Sequence, residues 1–338
     1  MSSPSSSSSG GGGVCPTKAQ AAVESLSSIL PSPLSLSSSP SAAFLLTSPD
    51  VSAQISALLR HPSSGAGDNP LCRWLYDTFQ SSDPSLQLVV LRFIPLISGL
   101  YLTRVTQRQP LAGFEAVLLA LYAHETTSRN GQAISVTVPD LSNPSIYHES
   151  SSPQRNNSTD LNIAVISPSL EPHGTVRATR RARIVGVAME LFYSKIWVMP
   201  VESKLDFCEF LEVWAGGDGG GEKHGRIPMP WELMQPCLRV LGHCLLGCNE
   251  KGKKMGELHE KASRACTSLH ARALHDLNPK AMLAVGSLIR LIKIEKDGSD
   301  VDHTEIPPSK IISYLIALDV FYGIPKTPAV GGVDCIEI

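Results

Sequence analysis

The sequence predicts an all-α protein, an irregular helical bundle or a short helical rod that carries one short β-like strap. Apolar residues recur at helical spacing in roughly ten separate segments. Only one segment, Ala133–Val138, alternates apolar and polar residues in the way that is typical of a strand. The chain has no fixed repeat of the tetratricopeptide or armadillo kind, so the helices are expected to pack irregularly.

Residues 1–48 are expected to be disordered because Ser, Gly and Pro dominate them, apart from an apolar stretch near Ala19–Leu30. The start lacks the basic and apolar regions of a secretory signal, and Ser2 excludes N-myristoylation. No stretch reaches the apolar length that crosses a bilayer. We therefore expect a cytosolic protein.

Order is expected to begin near Pro49, and prolines also open the helices that start at Pro70, Pro84 and Pro110. The helix from Pro84 is long and carries Pro95, which should kink it. The core-facing residues predicted for these four helices are Val51, Ile55, Leu58, Leu59, Leu71, Trp74, Leu75, Phe79, Leu86, Val89, Val90, Phe93, Ile97, Leu100, Tyr101, Phe114, Val117, Leu118, Leu121 and Tyr122.

The middle of the chain departs from the helical pattern. Pro139 ends the strand-like piece, and Pro139–Glu149 is expected to be extended and rich in turns. Residues 150–174 are expected to form a polar, flexible loop in which Ile163–Ile166 is a short apolar patch.

Helices are predicted again after Thr175. They carry the stripe Ile184–Ile196 and then the segments Leu205–Trp214, Met229–Asn249, Met255–Leu277, Pro279–Ile294 and Pro308–Tyr322. Together these elements form one helical domain over residues 49–323, interrupted by flexible loops at 150–174 and 216–226 and followed by a tail over 324–338.

The charge balance argues against a nucleic-acid binder, since 29 basic and 31 acidic residues give a net charge of −2. One local cluster is basic: Arg177, Arg180, Arg181 and Arg183 begin a predicted helix, where the helix dipole disfavours cations. The cluster is a candidate contact for a partner or an anionic lipid, and a solvated helix start accounts for it equally well.

No catalytic motif is present. The Gly-rich loop at Gly216 lacks the Gly-Lys-Ser/Thr of a phosphate-binding loop, and the sequence has neither a Gly-x-Ser-x-Gly nor a His-Glu-x-x-His motif. Cys237, Cys244 and Cys248 share one helix face, and a buried reduced surface fits them better than a metal site. Cys335 is the fourth residue from the C-terminus, as in a prenylation motif, but Glu337 occupies a position where that motif requires an aliphatic residue. We therefore expect no enzyme, cofactor or metal.

The segment Ile134–Glu149 resembles the part of hyccin proteins in which a short strand leads into Pro-x-Leu-Ser-x-Pro-Ser-(Val/Ile)-Tyr-His-Glu. The flanking segments Leu91–Ile97, Phe114–Tyr122 and Arg226–Pro228 follow in the same order, and the resemblance covers roughly residues 50–295. The residues that match the motif are Pro139, Leu141, Ser142, Pro144, Ser145, Tyr147, His148 and Glu149.

This resemblance implies a function. Hyccins are helical, non-catalytic subunits of the plasma-membrane type III alpha phosphatidylinositol 4-kinase complex. They pack along a tetratricopeptide scaffold subunit, which ties the kinase to a membrane anchor subunit. The chain would then reside in the cytosol and peripherally at the plasma membrane, and support phosphatidylinositol 4-phosphate synthesis. Many hyccins carry a long disordered C-terminal tail that has no counterpart here, so functions of that tail are not carried over.

Two alternatives from other classes stay open. One is a stand-alone helical protein that binds anionic lipid through Arg177–Arg183. The other is a hydrolase that depends on Cys and His, which would need a Cys or Ser beside a His in a pocket. Within the motif, Tyr147 and His148 are expected to hold the strap against the bundle, and partner surfaces are expected on nearby helix faces.

Overall fold

The computed structural model describes residues 17–32, 41–139, 161–172, 175–177, 179–216, 229–246 and 253–296. In these ranges the chain forms twelve helices and two strands, which confirms the all-α fold class. The elements are α1 (Lys18–Ser27), α2 (Ala42–Thr47), α3 (Pro49–Arg60), α4 (Pro70–Gln80), α5 (Pro84–Arg92), α6 (Ile94–Gln107), α7 (Ala112–Ser128), β1 (Ile134–Pro139), β2 (Leu161–Ser167), α8 (Arg181–Ser194), α9 (Val201–Ala215), α10 (Trp231–Leu246), α11 (Lys253–His275) and α12 (Pro279–Lys296).

Capping residues followed by proline start three of the helices. The side chains of Ser48, Asn69 and Asp83 each accept a hydrogen bond from a backbone N–H in the first turn of α3, α4 and α5. Proline occupies the next position in each case, where its missing N–H costs nothing. The predicted starts of these helices are therefore confirmed.

The kink predicted near Pro95 is confirmed as a full break between α5 and α6, whose axes differ by 47°. Phe93 lies between them, and its N–H bonds the carbonyl of Val90 at 3.0 Å. Pro95 has no N–H to continue the ladder of α5. No single described helix is long and apolar enough to span a membrane, and the α5–α6 pair passes that test only by length and composition.

One continuous core joins the helices from α1 to α12. Helix α9 packs on α6 and α11, and α8 packs between α7 and α10. The α8–α10 contact is close at Gly186, where an added Cβ would lie 2.6 Å from the carbonyl oxygen of Glu232. This contact sets the spacing of two central helices.

The two strands form an antiparallel hairpin in which Pro139 pairs with Leu161 and Ile134 with Ser167. Strand β2 lies inside residues 150–174, so the prediction of a flexible loop there is wrong over Leu161–Ser167. The sequence does show the apolar residues 163–166 of β2. A strand is stable only when it pairs with another strand, however, and the local sequence does not show which one. That partner, β1, lies more than twenty residues away along the chain.

The disorder expected for residues 1–48 is contradicted at α2, while α1 lies in the apolar stretch Ala19–Leu30 that was excepted from it. Helix α1 begins with a capping box formed by Thr17 and Gln20. The indole Nε1–H of Trp74 donates to the carbonyl of Ala22 at 2.9 Å, and Val23 and Leu26 are buried. In α2, the Ser-rich composition concealed the apolar residues Ala42, Leu45 and Leu46, which are buried in the core.

Several predictions lie outside the described residues. They concern most of the Pro139–Glu149 motif, the loop after Gly216, the helix Pro308–Tyr322 and the tail over 324–338.

Candidate partner-binding surfaces

The Pro139–Glu149 motif starts at the end of β1. The structure describes the backbone of Pro139, which pairs with Leu161. The other matched residues, Leu141, Ser142, Pro144, Ser145, Tyr147, His148 and Glu149, lie outside the described residues. The roles predicted for Tyr147 and His148 therefore stay predictions.

The chain that leaves β2 is tied to α7 and α8 by hydrogen bonds. The N–H of Leu170 donates to the carbonyl of Gly131 at 2.9 Å, and the N–H of Glu171 donates to the hydroxyl of Tyr122 at 3.1 Å. The buried guanidinium of Arg183 donates to the carbonyl of Ser169 at 2.7 Å. These bonds fix one end of the hairpin on the helical body.

A buried ionic cluster fixes the same end of the hairpin. The hydroxyl of Ser167 on β2 donates to Glu190 Oε2 at 2.8 Å and accepts from Arg129 at 2.9 Å. Arg239 on α10 lies 3.7 Å from Glu190 Oε1, and Arg129 lies 3.3 Å from Glu125. Burial raises the pKa of Glu190, and Arg239, Ser167 and Arg129 oppose that rise. The cluster links β2 to α7, α8 and α10, and its arrangement serves structure.

The basic segment is divided between surface and interior. Arg177 is exposed, and Arg180 is exposed in an ion pair with Glu171. Arg183 points inward to the chain after β2. Arg181 is half-buried beside Tyr101. Burial and the charge of Glu115 raise the pKa of Tyr101 to about 12, and the Arg181 cation opposes this rise. Two of the four arginines thus serve the fold.

The five described cysteines are all buried and reduced: Cys72, Cys208, Cys237, Cys244 and Cys266. Burial raises the pKa of the Cys72 thiol to about 11 and that of Cys266 to about 12. Burial also raises the pKa of Cys237, and a hydrogen bond with Cys208, together with burial, raises that of Cys244. A nucleophilic cysteine needs the opposite shift. The predicted buried face of Cys237 and Cys244 is confirmed, whereas Cys248 lies outside the described residues.

His243 is buried and lies between Lys204 of α9 and the exposed ring of Trp197. Its Nε2 lies 3.3 Å from the Lys204 ammonium, and its ring meets Trp197 edge-on at 4.5 Å. Burial and the Lys204 charge lower the pKa of His243 to about 4. The imidazole is therefore neutral at pH 7 and accepts from the lysine. In the described part of the chain, no group of three or more His, Cys, Asp or Glu side chains could hold a metal ion.

Among the described residues, Tyr76 and Val213 are isolated exposed apolar side chains, and the other exposed large apolar side chains fall in three short segments. Ile163 and Val165 lie on β2, Trp197 and Val198 lie between α8 and α9, and Leu274, Leu277 and Leu283 surround the turn from α11 to α12. Sequence reasoning did not single these residues out as surface contacts. Periodicity shows which residues face the core, but it does not mark an apolar residue that stays in water.

A protein-family model described as Hyccin matches residues 37–311. The match includes every described element from α2 to α12 and the whole Pro139–Glu149 motif.

Proposed function

The chain belongs to the hyccin family, and from that premise we propose that it is a non-catalytic subunit of a phosphatidylinositol 4-kinase complex at the plasma membrane. In this role it packs along a tetratricopeptide scaffold subunit and stabilises it. The scaffold subunit in turn joins the type III alpha kinase to a membrane anchor subunit. The chain thereby supports the synthesis of phosphatidylinositol 4-phosphate without taking part in the chemistry.

The family match is the observation that carries this proposal. It spans most of the chain and is not confined to the short motif, so the helical body as a whole is shared with the family. A subunit that braces another protein needs a body of this kind, because binding energy is lost when surfaces must first be ordered.

The chemistry of the described side chains supports a binding role over a hydrolytic one. The five described thiols are buried with no lowered pKa among those that shift, and His243 contacts a lysine and a tryptophan ring. A hydrolase of the Cys–His kind would instead place a reactive thiol beside an imidazole in a pocket.

The internal ties explain how the chain could act as a rigid brace. Arg183 and the cluster around Glu190 hold one end of the hairpin, where Ile134 pairs with Ser167, on α7 and α8. The outer faces of the helices are left to meet partners. Such a preorganised surface lowers the entropy cost of assembly.

Affinity purification of the tagged chain from its own cells under mild conditions tests the proposal. We expect the kinase, the tetratricopeptide scaffold subunit and the membrane anchor subunit to be recovered together. A chain with the tag at the other terminus is the matched control. Absence of the kinase and scaffold subunit from both preparations, with the chain folded, would overturn the proposal.

A further inference from the structure

The turn between α11 and α12 exposes three leucines within ten residues of sequence. Leu277 is 81% exposed, Leu283 is 74% exposed and Leu274 is 45% exposed. Single exposed leucines are ordinary on protein surfaces, but a local group of them marks a contact site. Side chains this exposed protrude from the surface. They can therefore insert into a deformable layer such as a bilayer more readily than they can line a binding groove.

The backbone at this turn makes the choice of leucine more unusual. Leu277 has a positive φ of 50°, and the N–H of Asn278 closes the end of α11 on the carbonyl of Ala273 at 3.1 Å. Glycine or asparagine normally occupies this left-handed position. A leucine there carries backbone strain and also an exposed apolar side chain, and neither helps the fold.

The adjoining surface of α12 is basic. Lys280, Arg290 and Lys293 are exposed, and with Leu283 they lie on one side of the helix because of their spacing. The described carboxylate nearest to them in sequence, Asp276, pairs with Arg272 and His275 instead. On α11, Arg264 pairs with Glu212 and Glu260.

Protruding leucines beside exposed cations are the composition of a surface that rests on an anionic bilayer. A protein partner would have to supply a concave acidic pocket for the same residues. We propose that the α11–α12 corner, defined as Leu274, Leu277, Lys280, Leu283 and Arg290, inserts its leucines among anionic lipid headgroups. Its cations then lie against the headgroup charges.

Through this contact the chain would bind the membrane directly, independently of any partner protein. It goes beyond the proposed function and does not rest on it, since the isolated full chain can be tested on vesicles. Within a membrane-bound complex, a weak direct contact adds to the others by raising the effective local concentration.

Sedimentation of the full chain with vesicles tests the proposal. We expect binding to phosphatidylcholine vesicles that contain phosphatidylserine, little binding to phosphatidylcholine alone, and loss of binding as salt is raised. The double variant Leu277→Asn, Leu283→Ser should weaken binding by roughly tenfold or more. Lys280→Gln and Arg290→Gln should each weaken it by about fivefold at low salt.

Matched variants separate this effect from general loss of structure or charge. Val213→Ser removes an apolar side chain of similar exposure on α9, and Arg108→Gln removes an exposed cation at the end of α6. Both should bind vesicles as the parent does. Leu277→Asn should melt at the same temperature or higher, because asparagine tolerates the left-handed backbone.

Three results would overturn the proposal. The first is no binding that depends on phosphatidylserine. The second is equal loss of binding in the corner variants and in Val213→Ser and Arg108→Gln. The third is unchanged vesicle binding in corner variants that no longer recover the scaffold subunit, which would make the corner a protein-binding surface. In that last case the proposed function stands while this inference fails.

Discussion

Buried arginines hold the irregular parts of this chain in place. Arg104 donates to the carbonyl of His61 at 2.8 Å and to that of Ser64, and its guanidinium lies over the Phe114 ring. Arg92 donates to the carbonyl of Leu46 at the end of α2, and Arg183 donates to the carbonyl of Ser169. Each cation satisfies backbone carbonyls where a helix or strand ends, which would otherwise be costly to bury.

These roles could not be predicted from sequence. An arginine in a predicted helix is normally assigned to the exposed face. Only the folded structure shows which backbone carbonyls lie near its guanidinium group. The segment Arg177–Arg183 illustrates this, because its positions suggested one basic patch while the structure divides them between surface and interior. The apolar core positions were predictable because their spacing alone determines which face they share.

His243 makes the stability of the protein depend on pH. The unfolded imidazole takes a proton near pH 6.5, whereas the folded one resists protonation down to about pH 4. The unfolded state therefore binds more protons in this window, and stability that is full above pH 6.5 is lost as the pH falls towards 4. The loss is on the order of 3 kcal/mol from this residue.

Chemical denaturation at several pH values measures this loss. The variant His243→Gln keeps a neutral polar side chain at all pH values, so its stability should fall less steeply over the same window. His61→Gln, at an exposed histidine, is the matched control and should follow the parent. Parallel curves for the parent and His243→Gln would contradict the account of the Lys204–His243 contact.

At the scale of elements, local signals decided what could be predicted. Prolines with capping residues marked the starts of α3, α4 and α5, and Pro95 marked the break before α6. Strand β2 and helix α2 were missed, since β2 depends on a distant partner and α2 lies in Ser-rich sequence. Tertiary contacts override composition in these cases.

The contact between α8 and α10 depends on Gly186. A Cβ at this position would lie 2.6 Å from the Glu232 carbonyl oxygen, so Gly186→Ala must push the two helices apart. Overpacking costs about 1–3 kcal/mol, against a gain of up to about 1 kcal/mol in helix propensity. We expect net destabilisation, measured as a lower denaturation midpoint.

Gly256→Ala is the matched control for this substitution. Gly256 is also helical and exposed, but nothing lies within 4 Å of an added Cβ. The change should stabilise the protein by about 0.5–1 kcal/mol through helix propensity alone. Stabilisation by both substitutions would show that α8 and α10 are not in the close contact described.

At the scale of the whole molecule, one core joins all twelve described helices, and the hairpin is locked onto it. The family could be identified from the Pro139–Glu149 motif, because its residues are unusual in type and order, and the family model covers most of the chain. The α11–α12 corner could not be identified, since exposure and backbone φ at Leu277 are properties of the fold.

Co-expression of the chain with the tetratricopeptide scaffold subunit is the decisive experiment for the proposed function. A stabilising subunit buries apolar surface that its partner cannot bury alone, so each protein should raise the soluble yield of the other. The two should also elute together as one complex on size exclusion. Two folded proteins that elute separately, with yields that do not depend on each other, would contradict the account.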